Sequence, residues 1–125
     1  MRAILAPVKY NRRDALSLWH RVTLGSVLAS GPDLTTRQLA VLTTIYLEPG
    51  PHTVKSLAEQ LNVTKAVITR ALDTLSRYKF VCRRDDPRDK RSVLIQRTGP
   101  GSNYLSQFGE QICREIKSGS DVVAA

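Results

Sequence analysis

The sequence has few of the residues on which metal sites and disulfide-bonded folds depend. Its 125 residues include 2 cysteines and 2 histidines. These four residues lie far apart and show none of the short spacings typical of zinc ligands: Cys82, Cys113, His20 and His52. We therefore expect no metal site and no cofactor, and we expect the histidines to be surface or hydrogen-bonded polar groups.

Long apolar runs and catalytic motifs are also missing. The chain contains no run of about 18 apolar residues, so we expect no segment that spans a membrane. The N-terminal apolar patch is interrupted by Pro7 and Lys9, which favours a cytoplasmic protein over a secreted one. There is no serine and histidine nucleophile motif, no prominent carboxylate pair and no glycine-rich phosphate loop after a strand, so the sequence favours a protein that is not an enzyme.

Positive charge, by contrast, is abundant. Lysine and arginine number 19 against 11 aspartate and glutamate, which gives a formal net charge of +8. Such an excess favours a polyanionic partner, nucleic acid before membrane. The length fits a single domain, 1–125.

Two amphipathic segments flank the central part of the chain. The segment 14–30 is apolar around much of its circumference, with Leu16 and Trp19 at helical spacing, which is typical of a helix that a partner subunit covers. The segment 102–117 has one apolar face, formed by Leu105, Phe108, Ile112 and Ile116. We expect these to be dimerisation helices, and we expect 118–125 to be a disordered tail because no pattern would hold it.

Between them the sequence predicts a helix-turn-helix. A capping box at Thr35–Gln38 begins one helix, and the prolines of Glu48–His52 end it. Two short helices follow, one with Thr53 as its N-cap and one from Thr64 to Tyr78. The last helix carries an apolar stripe at positions i, i+3, i+4 and i+7: Ile68, Ala71, Leu72 and Leu75.

After Tyr78 the apolar period changes from about 3.6 residues to 2. The stretches "FVCRR" and "SVLIQR" predict two strands around the charged loop "RRDDPRDKRS", with Cys82 facing inward as a small buried hydrophobe, and "TGPGS" predicts a loop. The predicted fold is mainly α (α+β). It is a winged helix-turn-helix over 34–98, with a two-stranded β-hairpin wing and flanking N- and C-terminal dimerisation helices.

The residues of this core resemble a known family. The stretches "LTTRQLAVLTTI" (34–45), "VTKAVITRALDTL" (63–75) and "DPRDKRSVLI" (86–95) are similar to the MarR family of bacterial winged-helix transcription regulators. The resemblance implies a sequence-specific regulator of double-stranded DNA, expected to be a repressor, that acts as a homodimer on a pseudo-palindromic operator at the bacterial nucleoid. It also implies a small-molecule effector of unknown identity. Family members usually have glycine where this chain has Lys79, so a left-handed residue there should be strained.

The helix from Thr64 to Tyr78 is the expected reader of the major groove. Its candidate DNA contacts are Thr64, Lys65, Ala66, Thr69, Arg70 and Thr74. Arg70 is our first choice for a base contact, and the alternative is an i,i+3 ion pair with Asp73. We expect Asp73 to orient a neighbouring arginine rather than to read a base. Phosphate contacts are expected from Thr53, Lys55 and Arg77.

The charged loop supplies the candidate wing contacts, which are Arg84, Arg88, Asp89, Lys90 and Arg91. The resemblance implies that Asp89 and Arg91 act together, with the carboxylate holding the guanidinium extended toward the minor groove. The alternative is a solvated hairpin tip whose exposed ion pairs contribute about 0 to 1 kcal/mol. For the whole chain, the alternative function is a winged-helix module that binds protein, or nucleic acid without sequence preference, in a larger assembly.

Overall fold

The computed structural model describes residues 10–124, and the side chains of residues 10–117. Within this part the elements are α1 (Arg12–Leu28), α2 (Thr36–Leu47), α3 (Val54–Leu61), α4 (Lys65–Arg77), β1 (Val81–Asp86), β2 (Asp89–Arg97) and α5 (Gly99–Ala124). They form two compact units. One comprises Pro32–Phe108, and the other comprises the described residues on either side of it, 10–31 and 109–124.

The larger unit is built on α2, which begins at the expected capping box. The backbone N–H of Gln38 donates to the Thr35 hydroxyl at 3.1 Å, and the Thr35 N–H donates to the Gln38 side chain at 2.9 Å. These two bonds satisfy donors that a helix start otherwise leaves unpaired. The buried face of α2 consists of Val41, Leu42 and Ile45.

Helices α3 and α4 complete the predicted helix-turn-helix. Asn62 ends α3 in the left-handed conformation (φ 54°), and Thr64 caps α4 by accepting from the N–H of Val67 at 3.3 Å. The predicted apolar stripe of α4 is buried, together with Leu57 and Ala58 of α3. This stripe, α2 and the wing share one hydrophobic core, to which the wing contributes Phe80, Val81 and Ile95.

Strands β1 and β2 pair antiparallel, with Val81 opposite Arg97 and Asp85 opposite Val93. A third short stretch joins the hairpin, because the N–H of Ile95 donates to the carbonyl of His52 at 2.9 Å. His52 is buried, and its ring Nε2 lies 3.1 Å from the carbonyl oxygen of Glu48. It is therefore a hydrogen-bonded structural residue. Cys82 is half-buried, which corrects the expectation of a buried thiol.

The junction between α4 and β1 turns at Lys79, whose φ is 62°. The N–H of Lys79 donates to Ser76 at 2.9 Å, and the N–H of Phe80 donates to Leu75 at the same distance. These two bonds form the helix-ending motif that usually has glycine at the left-handed position. Lys79 thus adopts the left-handed conformation in which we expected a residue other than glycine to be strained.

Helix α5 is longer than the sequence predicts. The stretch "TGPGS" is a helix start rather than a loop, because the Thr98 hydroxyl accepts from the N–H of Gly101 at 3.0 Å and Pro100 needs no donor in a first turn. The helix is assigned to Ala124, and the disordered tail expected over 118–125 stays a prediction. Ala125 lies outside the described residues.

The smaller unit joins α1 to the end of α5. Asn11 caps α1 by accepting from the N–H of Asp14 at 2.8 Å, which places the helix slightly earlier than the expected 14–30. Arg21 Nε lies 3.3 Å from Glu115 Oε2, and the Gln111 side chain donates to the Val22 carbonyl at 3.2 Å. Val22 is buried.

Candidate nucleic-acid interface

The face of α4 opposite the core is accessible to solvent. Burying one stripe of a helix leaves the residues between those positions on the other side. The side chains that this leaves exposed are Thr64, Lys65, Ala66, Thr69 and Arg70, and Thr74 is half-buried. Every residue of α4 that we selected as a DNA contact therefore has at least part of its surface in solvent.

Asp73 pairs with an arginine that the sequence reasoning did not select. Its Oδ1 lies 2.8 Å from Nη2 of Arg83, which stands on β1. The expectation that Asp73 orients a neighbouring arginine agrees with this contact, although the arginine comes from the wing. The alternative pair between Arg70 and Asp73 is not formed, and Arg70 makes no ion pair among the described side chains.

The hydroxyl of Thr74 serves the helix itself. It donates to the Arg70 carbonyl at 3.4 Å and accepts from Arg77 Nη2 at 3.1 Å. Arg77 is consequently held along the exposed side of α4 near its C-terminus. Thr74 is better placed to orient Arg77 than to read a base.

The two other candidate phosphate contacts differ in solvent exposure and in hydrogen bonding. Lys55 is exposed on α3, at the second helical position. Thr53 is half-buried and forms a capping box with Ser56, whose N–H donates to the Thr53 hydroxyl at 3.0 Å. Its main role is to start α3. Lys55 is therefore the stronger of the two as a phosphate contact.

The wing is a hairpin with a tight tip. Strand β1 continues to Asp86 and the turn consists of Pro87 and Arg88, so the turn lies further along the chain than the expected Asp85 to Pro87. Asp86 stabilises this turn by accepting from the N–H of Arg88 at 2.9 Å. The wing residues that we selected are all exposed: Arg84, Arg88, Asp89, Lys90 and Arg91.

Asp89 does not hold the side chain of Arg91. Its Oδ1 accepts from the backbone N–H of Arg91 at 3.0 Å, and the described side chains include no ion pair between the two residues. The aspartate thus shapes the backbone at the start of β2, because a short carboxylate readily reaches the N–H two residues further on. The implied carboxylate–guanidinium contact is corrected for this structure, while the Arg91 guanidinium stays free of ion pairs.

The candidate dimer residues fall into two groups. Leu16 and Trp19 of α1 are 68% and 55% exposed, and Ile116 of α5 is also exposed. Leu105 packs against the core of the larger unit, so its side chain is partly buried within its own chain. Phe108 and Ile112 are half-buried.

The described residues contain no group of three or more histidine, cysteine, aspartate or glutamate side chains placed to hold a metal ion. In the same part of the chain, no helix is both long enough and apolar enough to cross a membrane. A helix-turn-helix followed by a hairpin that shares its core defines a winged helix-turn-helix protein.

Comparison with known proteins supports the resemblance to one family. Residues 34–93 match the model described as the MarR family. A solved structure of a mutant MepR from S. aureus shares the fold, with a TM-score of 0.74, 22% identity, and coverage of 91% of this chain and 80% of that one. These matches confirm that the chain resembles the MarR family. The curated proteins that this chain matches are described as transcriptional regulators, which agrees with the expectation that it is not an enzyme.

Two relatives bear on function. The HTH-type transcriptional repressor YetL of Bacillus subtilis (strain 168) is 50% identical over 52 residues, 42% of this chain and 31% of YetL. A mutant MarR from E. coli, solved complexed with operator DNA, has a TM-score of 0.63 and 25% identity, covering 85% of this chain and 70% of that one. The chain spans only 31% to 53% of the lengths of three curated relatives.

Proposed function

We propose that the chain is a transcriptional regulator that binds double-stranded DNA in a sequence-specific manner, as a homodimer on a pseudo-palindromic operator. One observation carries the proposal. A helix with an exposed row of hydroxyl and cationic side chains stands directly before a hairpin whose tip is strongly cationic. The operator complex of the related E. coli MarR supports the same type of partner.

Helix α4 is suited to the major groove, which is about 12 Å wide and admits one helix. Arg70 presents a planar guanidinium that can donate two parallel hydrogen bonds to a guanine edge. Thr69, the residue directly before Arg70, adds a hydroxyl group. The positive end of the helix dipole at Thr64 and the ammonium of Lys65 favour phosphate at the same end.

The wing is suited to the adjoining minor groove. The Arg91 guanidinium is exposed and unpaired among the described side chains, and a planar cation fits the narrow groove and its negative potential. Arg88 and Lys90 flank it and would neutralise phosphates. The wing then contributes mainly affinity and α4 mainly sequence discrimination, because phosphate contacts carry little sequence information.

The exposed apolar residues of α1 support assembly into a dimer. Leu16, Trp19, Val27 and Leu28 are all more than half exposed, and large apolar side chains in such number on one helix are typical of an interaction surface. In a symmetric dimer the two copies of α4 would meet half-sites about one helical turn of DNA apart. The repressor role is supported by the similarity to YetL.

Selection of bound fragments from a genomic library tests the proposal. We expect an enriched motif with two-fold symmetry, and a sedimentation coefficient of the free protein that corresponds to a dimer. Enrichment of no motif, together with a monomer in solution, would contradict the proposal. That outcome would favour a winged-helix module that binds protein, or that binds nucleic acid without sequence preference.

A further inference from the structure

We propose that Arg83 is a positioning residue that occupies Asp73 and thereby keeps Arg70 and Arg77 available to DNA. The inference rests on the proposed function, because it assigns Arg83 a role in the use of the α4 arginines. Arg83 lay outside the set of DNA contacts selected from the sequence. Its contact with Asp73 is one of two ion pairs among the described side chains.

The contact joins two separate elements at the surface. Arg83 Nη2 and Asp73 Oδ1 are 2.8 Å apart, with the arginine on β1 and the aspartate on α4. Arg83 lies on the same face of β1 as Val81, because side chains alternate along a strand, and Val81 is buried in the core that α4 shares. The strand therefore directs Arg83 back toward α4. Arg84 projects to the other face and makes no ion pair among the described side chains.

Asp73 is the only acidic residue of α4. Arg70 precedes it by three residues and Arg77 follows it by four, and these are the two spacings at which charged side chains on a helix meet. Without a partner from the wing, the carboxylate would pair with one of these arginines. Both are proposed DNA contacts, and Asp73 would also repel phosphate. Arg83 removes both effects because it neutralises the carboxylate from outside the helix.

The expected size of the effect follows from the strength of such pairs. An exposed i,i+3 or i,i+4 ion pair contributes little, so its capture of an arginine should weaken DNA binding by about two- to five-fold. Loss of the base contact itself, as in Arg70→Ala, should reduce discrimination between sites by about ten-fold or more. The positioning effect is therefore smaller than the contact that it protects.

A double-mutant cycle on the full chain tests the inference. Binding to the duplex recovered by selection is measured for the wild type, Arg83→Gln, Asp73→Asn and the double variant, with a shuffled duplex of the same composition as reference. Arg83→Gln should weaken binding to the selected duplex by about two- to five-fold. Adding Asp73→Asn to Arg83→Gln should restore this affinity, because the double variant lacks the carboxylate that would pair with Arg70 or Arg77. The benefit of Asp73→Asn should be larger in the Arg83→Gln background than in the wild type.

The matched control is Arg84→Gln, which removes the same charge from the next residue of β1. Its effect should be additive with that of Asp73→Asn. If Arg83 had only a structural role, the coupling between Arg83 and Asp73 in DNA affinity would not depend on the arginines of α4. The proposed role requires that this coupling disappear when Arg70 and Arg77 are both replaced by alanine. Circular dichroism and urea midpoints verify that every variant is folded.

The outcomes separate the inference from the proposed function. If Arg70→Ala loses discrimination but Arg83→Gln and Asp73→Asn are additive, Arg83 is not a positioning residue and the DNA-binding function stands. If Arg84→Gln couples to Asp73→Asn equally strongly, the effect is one of net charge and the inference is again wrong. If the wild type shows no preference for any duplex, the proposed function fails and the inference fails with it.

Discussion

The hydroxyl of Tyr46 donates a hydrogen bond of 2.8 Å to the backbone carbonyl of Phe80. The same oxygen accepts from the N–H of Thr98 at 2.9 Å. Phe80 stands immediately before β1 and Thr98 immediately after β2, so one side chain of α2 holds both ends of the wing. The position of the wing relative to α2 depends on this contact as well as on the apolar core.

Replacing Tyr46 by phenylalanine should therefore destabilise the fold. The substitution keeps the ring but leaves two partly buried backbone groups without a partner, which costs about 1 to 3 kcal/mol. Urea denaturation measures the change in the free energy of unfolding. Tyr78→Phe is the control, because Tyr78 is exposed at the end of α4, and it should change stability by less than about 0.5 kcal/mol. Equal effects of the two substitutions would contradict this role of Tyr46.

Replacing Lys79 by glycine should stabilise the fold. Lys79 has a φ of 62°, a conformation that glycine adopts without the steric cost of a Cβ atom. We expect a gain of about 0.5 to 1 kcal/mol in the free energy of unfolding, measured in urea. Lys79→Ala retains the Cβ and should gain little. If alanine stabilised the fold as much as glycine, loss of the lysine charge would be the cause.

Replacing Gly101 by alanine should destabilise the fold. A Cβ atom at this position would collide with the Tyr46 hydroxyl and the Phe80 carbonyl. Such overpacking typically costs about 1 to 3 kcal/mol. Gly99→Ala is the matched control in the same helical turn, because a Cβ there meets no atom within 4 Å. A thermal melt of both variants checks the prediction, and a Gly101→Ala variant as stable as the wild type would contradict the close approach.

Stability should fall at alkaline pH in a way that depends on Tyr104. Burial, with a further contribution from the negative charge of Asp33, raises the pKa of Tyr104 above its usual 10.0. The folded chain then holds this proton more tightly than the unfolded chain. The resulting stabilisation is complete below about pH 10 and is lost as the pH rises through the folded pKa. Urea midpoints across this range should decline less steeply for Tyr104→Phe, and equal slopes would refute the assignment.

Much of the fold could be predicted because local chemistry determines it. The capping box at Thr35, the N-caps at Thr53 and Thr64, and the apolar stripe of α4 are all signals within a few residues of one another. The start of α5 was missed because proline and glycine after Thr98 resemble a loop. The start of this helix is stabilised by the hydrogen bond from the Gly101 N–H to the Thr98 hydroxyl. A second hydrogen bond, from the Thr98 N–H to the Tyr46 hydroxyl, holds the residue that precedes the helix.

The residues of the site could be predicted from the sequence, but the contacts between their side chains could not. Periodicity shows that Arg70 and Asp73 share a face of α4, yet it gives no reason for Asp73 to choose Arg83. That choice depends on the turn at Lys79, which brings β1 back alongside α4. Asp89 likewise has two acceptable donors in Arg91, the guanidinium and the backbone N–H. The hairpin geometry decides between them in favour of the backbone.

The central claim is that α4 reads DNA sequence through Arg70. Fluorescence anisotropy tests it most directly, by comparing the affinity for the selected duplex with the affinity for a shuffled duplex. Arg70→Ala should reduce this ratio by about ten-fold or more, since one bidentate contact discriminates by about 1 to 3 kcal/mol. Arg114→Ala, which removes an exposed arginine of α5, should leave the ratio unchanged. A ratio unaffected by Arg70→Ala would contradict the account.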